Sequence, residues 1–199
     1  MSQPATLPSD LPPIVLASAS PRRRDLLSNL GLSFDVVPAD VDESFTSEDA
    51  PFDLVARLSR AKAEAVARDH PDALVIAADT VVVYLEQVLG KPETAEDNLR
   101  YLALLSGHTH EVYTGHTLIL GDRRAERIVQ TAVRFRKLSD EAMARYAATG
   151  EGMDKAGGYT IQGYGSALVR EVRGCYFNVV GLSVPNVVEL AYSLGLELV

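Results

Sequence analysis

At 199 residues the chain is long enough to bury one sizeable core and short for two independent domains. With 47% hydrophobic and 23% charged residues its composition is globular, too apolar for disorder and too mixed for a membrane bundle. The net charge of −8 excludes bulk attraction to a nucleic acid polymer or anionic lipid, so an anionic ligand must be met by local cations.

Residues 1–13 hold four prolines and neither Lys nor Arg, which predicts a disordered tail and excludes a secretory signal. Residues 14–199 read as a single domain, because no linker composition interrupts them. The apolar run 14–17 predicts a strand. Ser20 as N-cap, Pro21 at the first helical position and Gly31 as the left-handed stop then predict a helix. A strand over 34–37 and an acidic loop lead to a helix from Pro51 to about Arg68, with Leu54, Leu58 and Ala61 facing inward. The segment 74–78 is apolar on both faces, as in a central strand, and ends in Asp79-Thr80, with 81–85 continuing in β-rich style. Thr94 caps a helix to about Leu105, and 112–120 with 127–135 flank Gly121-Asp122 as a hairpin. Ser139 caps a helix through Ala148. After the glycine-rich span 150–165 come strands at 167–172 and 176–180 and a last helix over 185–194. The alternation implies an α/β domain with a mixed sheet, helices on its faces and ligand-binding loops at strand ends. The single cysteine, Cys175, excludes an internal disulfide and fits a reducing compartment. No apolar stretch reaches the roughly 18 residues of a spanning helix, so the chain is expected in the cytoplasm, away from membranes.

Five groups of residues could carry chemistry. Ser18-Ala19-Ser20-Pro21-Arg22-Arg23-Arg24 joins a buried strand to a helix N-terminus, where N–H groups, hydroxyls and guanidinium forks suit phosphate. Asp79-Thr80 follows a wholly apolar strand, and a carboxylate placed there can bind a divalent cation or take a proton from water. The lysines number four, at 62, 91, 137 and 155, against 15 arginines, and a compact ammonium suits a polyphosphate. The acidic residues Asp40, Asp42, Glu43, Glu48 and Asp49 could furnish a second carboxylate beside Asp79. In the span from Asp154 to Gly163 the Gln162 amide can pair with the imide edge of uracil or thymine. His108 and His110 would share a strand face but have no third ligand nearby, which disfavours a transition metal. The pattern GxxxxGK[ST] is absent, which disfavours a P-loop NTPase.

These stretches together resemble the Maf family of nucleoside triphosphate pyrophosphatases from about residue 16 to 182. The resemblance lies in ten motifs in order: Ser18-Ala19-Ser20-Pro21-Arg22-Arg23, Asp42-Glu43, Arg60-Ala61-Lys62-Ala63, Ala78-Asp79-Thr80-Val81-Val82, Gly90-Lys91-Pro92, Ser106-Gly107, Thr114-Gly115, Ala156-Gly157-Gly158-Tyr159, Ile161-Gln162-Gly163 and Val180-Gly181-Leu182. It implies an elongated mixed sheet flanked by helices, with two lobes and a deep cleft, similar to inosine triphosphate pyrophosphatases. It also implies a homodimer that needs Mg²⁺ or Mn²⁺. By this likeness Asp79 is catalytic or metal-binding, Glu43 is its partner at the metal, and Lys62 and Lys91 clamp the triphosphate. Ser18, Ser20 and Arg23 bind substrate, while Arg22, Thr80 and Gln162 match positions linked to base choice. The Tyr159 and Ile-Gln-Gly motif is similar to that of the branch acting on dTTP and UTP, and the acidic residue of the 7-methyl-GTP branch is missing. Ser183 stands where many relatives have proline, and Thr160 replaces a smaller residue. Two rival readings are a non-catalytic nucleotide-binding regulator of septum formation and a sugar-nucleotide transferase, although the glycine-rich N-terminal loop of the latter is absent.

Overall fold

The computed structural model describes residues 11–46 and 49–199. Of the expected tail, residues 1–10 lie outside the described residues. Leu11 packs against the core, and the Pro13 carbonyl accepts from the Leu74 N–H at 2.8 Å.

The centre of the molecule is β3 (Leu74–Tyr84), whose residues 74–78 are buried on both faces as their unbroken apolar run demands. β1 (Ile14–Leu16) pairs parallel with one edge of β3, and β2 (Asp35–Val36) pairs parallel with β1. On the other edge β3 pairs antiparallel with β5 (Thr109–Leu120), followed by β6 (Arg123–Phe135) and β7 (Val169–Arg173), also antiparallel. The short β4 (Gln87–Leu89) pairs with the end of β3, completing a seven-stranded mixed sheet. Leu120 faces Arg123, so Gly121 and Asp122 form the expected two-residue hairpin turn, with Gly121 at φ 57°.

Helices cover both faces. α1 (Pro21–Ser28), α5 (Tyr176–Val180) and α6 (Val184–Ser193) lie on the face carrying Leu74, Ile76 and Ala78. α2 (Pro51–Ala67) covers the opposite face, where Val75, Ala77, Val81 and Val83 meet Ala63, Val66, Leu54 and Leu58. A further core gathers α3 (Ala95–Leu105) and α4 (Asp140–Ala147) around Leu102, Phe135, Tyr146 and Tyr159. The caps are those expected: Ser20 accepts from Arg23 N–H, Ser139 from Ala142 N–H, and Thr94 forms a complete capping box with Asp97. Gly115 lets α2 lie directly on β5, since a Cβ there would sit 2.2 Å from the Val55 carbonyl oxygen.

Three expectations need correction. The run 176–180 is helix α5, not strand. Asp79 and Thr80 lie inside an 11-residue strand rather than at its end, because β5 pairs with β3 without interruption across them. On α2 it is Lys62 and Ala63 that are buried, while Ala61 is half-buried.

Candidate active site

The cleft follows from the sheet pairing. β1 pairs with β3 only as far as Ile76, and β4 begins at Val82, so the β3 edge between them is open. Side chains alternate across a strand, so Asp79 faces α2 and Thr80 faces α1 and α5. Both nevertheless line one cavity of about 490 Å³ that wraps around the open edge, a volume suited to a nucleotide.

On the α2 side the Lys62 ammonium is 2.6 Å from Asp79 Oδ1 and 2.7 Å from Glu43 Oε1. Lys62 and Asp79 are 6% and 7% exposed, whereas the Glu43 side chain is half exposed. Burial pushes the Glu43 carboxyl up, but the Lys62 hydrogen bond and the charges of Lys62, Lys91 and Arg23 outweigh it and hold the group below its ordinary value. Of the rest of the acidic run, Asp42 accepts from Ser44 N–H and Asp49 from Thr46 N–H, as loop turns do, and Glu48 lies outside the described residues.

On the other side Arg23 ties three segments together. Its Nε donates to the Gly181 carbonyl at 2.7 Å, Nη1 to Ser18 Oγ at 3.2 Å and Nη2 to Thr80 Oγ1 at 3.0 Å. Arg22 Nε donates to the Val180 carbonyl at 3.3 Å, leaving the rest of its guanidinium for the cavity. The Ser18 hydroxyl also accepts from Ser20 N–H, which closes the loop ahead of α1. Arg24 turns to Asp25 and does not line the cavity.

Ser18, Ser20, Arg22, Arg23, Glu43, Lys62, Asp79, Thr80 and Lys91 all line this one space. Gln162 does not; it is exposed, and only its neighbours Thr160 and Ile161 reach the wall. Lys155 and Tyr159, named from the sequence, line it too, Lys137 does not, and the structure adds Phe45. Lys155 pairs with Asp154 at the rim. The Tyr159 hydroxyl shares a hydrogen bond of 2.7 Å with His110 Nε2, and its ring stacks edge-on against Phe135. Burial alone drops His110 to about 4, which favours a neutral ring. His108 sits before the strand, exposed and beside Tyr84, so the two histidines do not share a site. Lys91 is held from behind, because Gly157 N–H donates to the Gly90 carbonyl and Asn98 Nδ2 to the Gly158 carbonyl at 2.6 Å. A lone buried amide in an otherwise amphipathic helix was the available signal for Asn98.

The donor set fits a hard divalent cation. Two carboxylates already converge on one positive point, the Lys62 ammonium, and Mg²⁺ commonly takes one or two carboxylates plus substrate phosphates. No cluster of three or more His, Cys, Asp or Glu that could cage a metal occurs among the described residues.

Among known proteins, the family described as Maf-like protein matches residues 13–194. A dTTP/UTP pyrophosphatase of Moorella thermoacetica is 49% identical over 186 residues, 92% of this chain and 96% of that protein. One of Myxococcus xanthus is 49% identical, covering 93% and 94%, and one of Desulforamulus reducens is 44% identical, covering 94% and 99%. The solved structure of the Staphylococcus aureus Ham1 protein aligns with 64% of this chain and 72% of its own at 17% identity and a TM-score of 0.42, a likeness too loose to carry an argument.

Proposed function

Because this chain belongs to the Maf family, we propose that it is a pyrophosphatase that hydrolyses dTTP and UTP to the nucleoside monophosphate and pyrophosphate. The observation that carries the reading is the buried Asp79–Lys62 pair, joined by the half-exposed Glu43, opening into the same cavity as Arg22 and Lys91.

Water attacks the α-phosphorus, its oxygen forming the new bond while the bond to the bridging oxygen breaks and pyrophosphate leaves with that electron pair. Asp79, fixed by the strand and by Lys62, takes the proton of the attacking water. Lys62 and Lys91 meet the charge growing on the leaving group, joined by Arg22. A divalent cation, Mg²⁺ or Mn²⁺, would be held by Glu43 and Asp79, and when bound it neutralises phosphate charge. The pyrimidine would lie toward Tyr159, Thr160 and Ile161, with Gln162 reaching in only after its segment moves. A homodimer working in the cytoplasm to cleanse the nucleotide pool is part of the same proposal. The half-buried free Cys175 is consistent with a reducing compartment, and no helix among the described residues is long and apolar enough to cross a membrane.

The test is a panel of dTTP, UTP, 7-methyl-GTP and common nucleotides with Mg²⁺, assayed for pyrophosphate. We expect dTTP and UTP to lead, and Asp79→Asn to keep its fold while losing all detectable release. Metal-dependent turnover by that variant would overturn the assignment of the base, and nucleotide binding without turnover by the wild type would place the chain among nucleotide sensors.

A further inference from the structure

We infer that Asn178 is a positioning residue for Arg22 and Arg23, acting through α5; the inference rests on the pyrophosphatase reading above. The two arginines stand at the start of the chain, yet what aims them lies 158 residues later. Arg22 Nε donates to the Val180 carbonyl and Arg23 Nε to the Gly181 carbonyl, the last carbonyls of α5 and its cap. Gly181 has φ 127°, a conformation that only glycine adopts without strain, so the carbonyl direction is built into that residue.

α5 is five residues long and cannot hold itself in place, because so short a helix does not repay the cost of its first turn. Its location is set from the sheet. Asn178 is fully buried, and its Nδ2 donates to the Val112 carbonyl of β5 and to Thr131 Oγ1 of β6, both at 3.1 Å. The Thr131 hydroxyl in turn meets the N–H and the carbonyl of Cys175, at the N-cap of α5. A second path reaches the arginines directly. Thr114 Oγ1 donates to the Asn178 carbonyl at 3.2 Å, which obliges the Thr80 hydroxyl, 2.9 Å away, to donate to Thr114 and to accept from Arg23 Nη2. The donors therefore run Arg23, Thr80, Thr114, and the path ends on the Asn178 main-chain carbonyl as acceptor. Both paths converge on one residue, and both end on a guanidinium in the cavity wall. A planar fork recognises phosphate or base edges only when its plane is fixed. Releasing α5 frees those planes without removing a charge.

The test is steady-state hydrolysis of dTTP by the full chain with Mg²⁺, well below its melting temperature. We expect Asn178→Ala and Thr114→Val to raise KM about tenfold while kcat changes far less, the size of one lost anchor. Thr114→Ser, which keeps the hydroxyl, should restore the wild-type KM. In an Arg22→Ala background, Asn178→Ala should raise KM by less than about threefold. A merely structural Asn178 would lower the maximal rate with the folded fraction and leave KM unchanged, and that result, or full multiplication onto Arg22→Ala, overturns the inference. Should Asn178→Ala not fold, the two Thr114 variants decide by the same criteria. If the wild type binds dTTP without releasing pyrophosphate, the function fails separately and calorimetric Kd ratios replace KM ratios; if it does neither, both fail.

Discussion

At the scale of single residues, Lys62 is the group on which the α2 side of the site depends. Its ammonium neutralises Asp79 in a place where water reaches neither well, so removing it strands a buried carboxylate. Lys62→Met should therefore cost about 3 kcal/mol in urea unfolding and abolish turnover, and adding Asp79→Asn should recover most of that stability without recovering turnover. A double variant no more stable than Lys62→Met would show that the pair is not coupled. Ser183 makes a different point. The resemblance leads one to expect proline at this position, and here its N–H donates to His116 Nε2 at 2.8 Å in the buried interior. Proline has no N–H to give. Ser183→Pro should cost about 1–3 kcal/mol through the unpaired ring nitrogen, a loss that His116→Phe should diminish, both read by denaturant titration.

At the scale of elements, the turn joining β3 and β4 explains an error and makes a prediction. Leu85 and Glu86 occupy it with φ 47° and 65°, the left-handed pair that a two-residue hairpin of this kind needs, and Leu85 is exposed. Neither residue suits that region, so nothing in the local sequence announces a turn, and 81–85 reads as uninterrupted strand. Glu86→Gly should relieve about 1 kcal/mol of strain and raise the melting temperature by a few degrees, with turnover unchanged. α5 is the complementary case. Its residues Tyr176, Phe177, Val179 and Val180 favour strands, and the sequence pattern says so. The helix wins because Asn178 finds two partners on the sheet from that conformation.

At the scale of the whole molecule, two buried histidines make stability depend on pH. Burial lowers both His110 and His116 to about 4, with the nearby Arg23 charge adding to the effect on His116. The folded state thus refuses a proton that the unfolded chain accepts near 6.5. Stability is full above that value and falls as pH drops from about 6.5 toward 4, by about 3 kcal/mol for each histidine. Glu43, held low, adds a loss of the same sign further into acid. Urea titrations at intervals from pH 7.5 to 4 should show this slope, and replacing either histidine by a neutral residue should flatten about half of it. A wild-type profile flat over that range would refute the assignment.

The signals that lie within a few residues of one another were readable in advance. Ser20, Thr94 and Ser139 mark their helices because a cap is a contact three residues long, and Gly121-Asp122 marks its hairpin because the turn is made of those two residues. The resemblance likewise brought Glu43, Lys62, Asp79 and Lys91 to one site, and the structure places them around one cavity. What the tertiary structure alone decided are the matters settled by partners far along the chain. The open edge of β3 exists because β1 stops pairing at Ile76 and β4 starts at Val82. Gln162 is turned outward by a glycine-rich segment whose path is set by Tyr146, Glu151 and Asn98. The segment 176–180 is helical because partners 47 and 66 residues away hold Asn178. A propensity is an average over the contexts in which a residue is found, and a single buried hydrogen-bond pair, in the one context that this fold creates, is enough to reverse it.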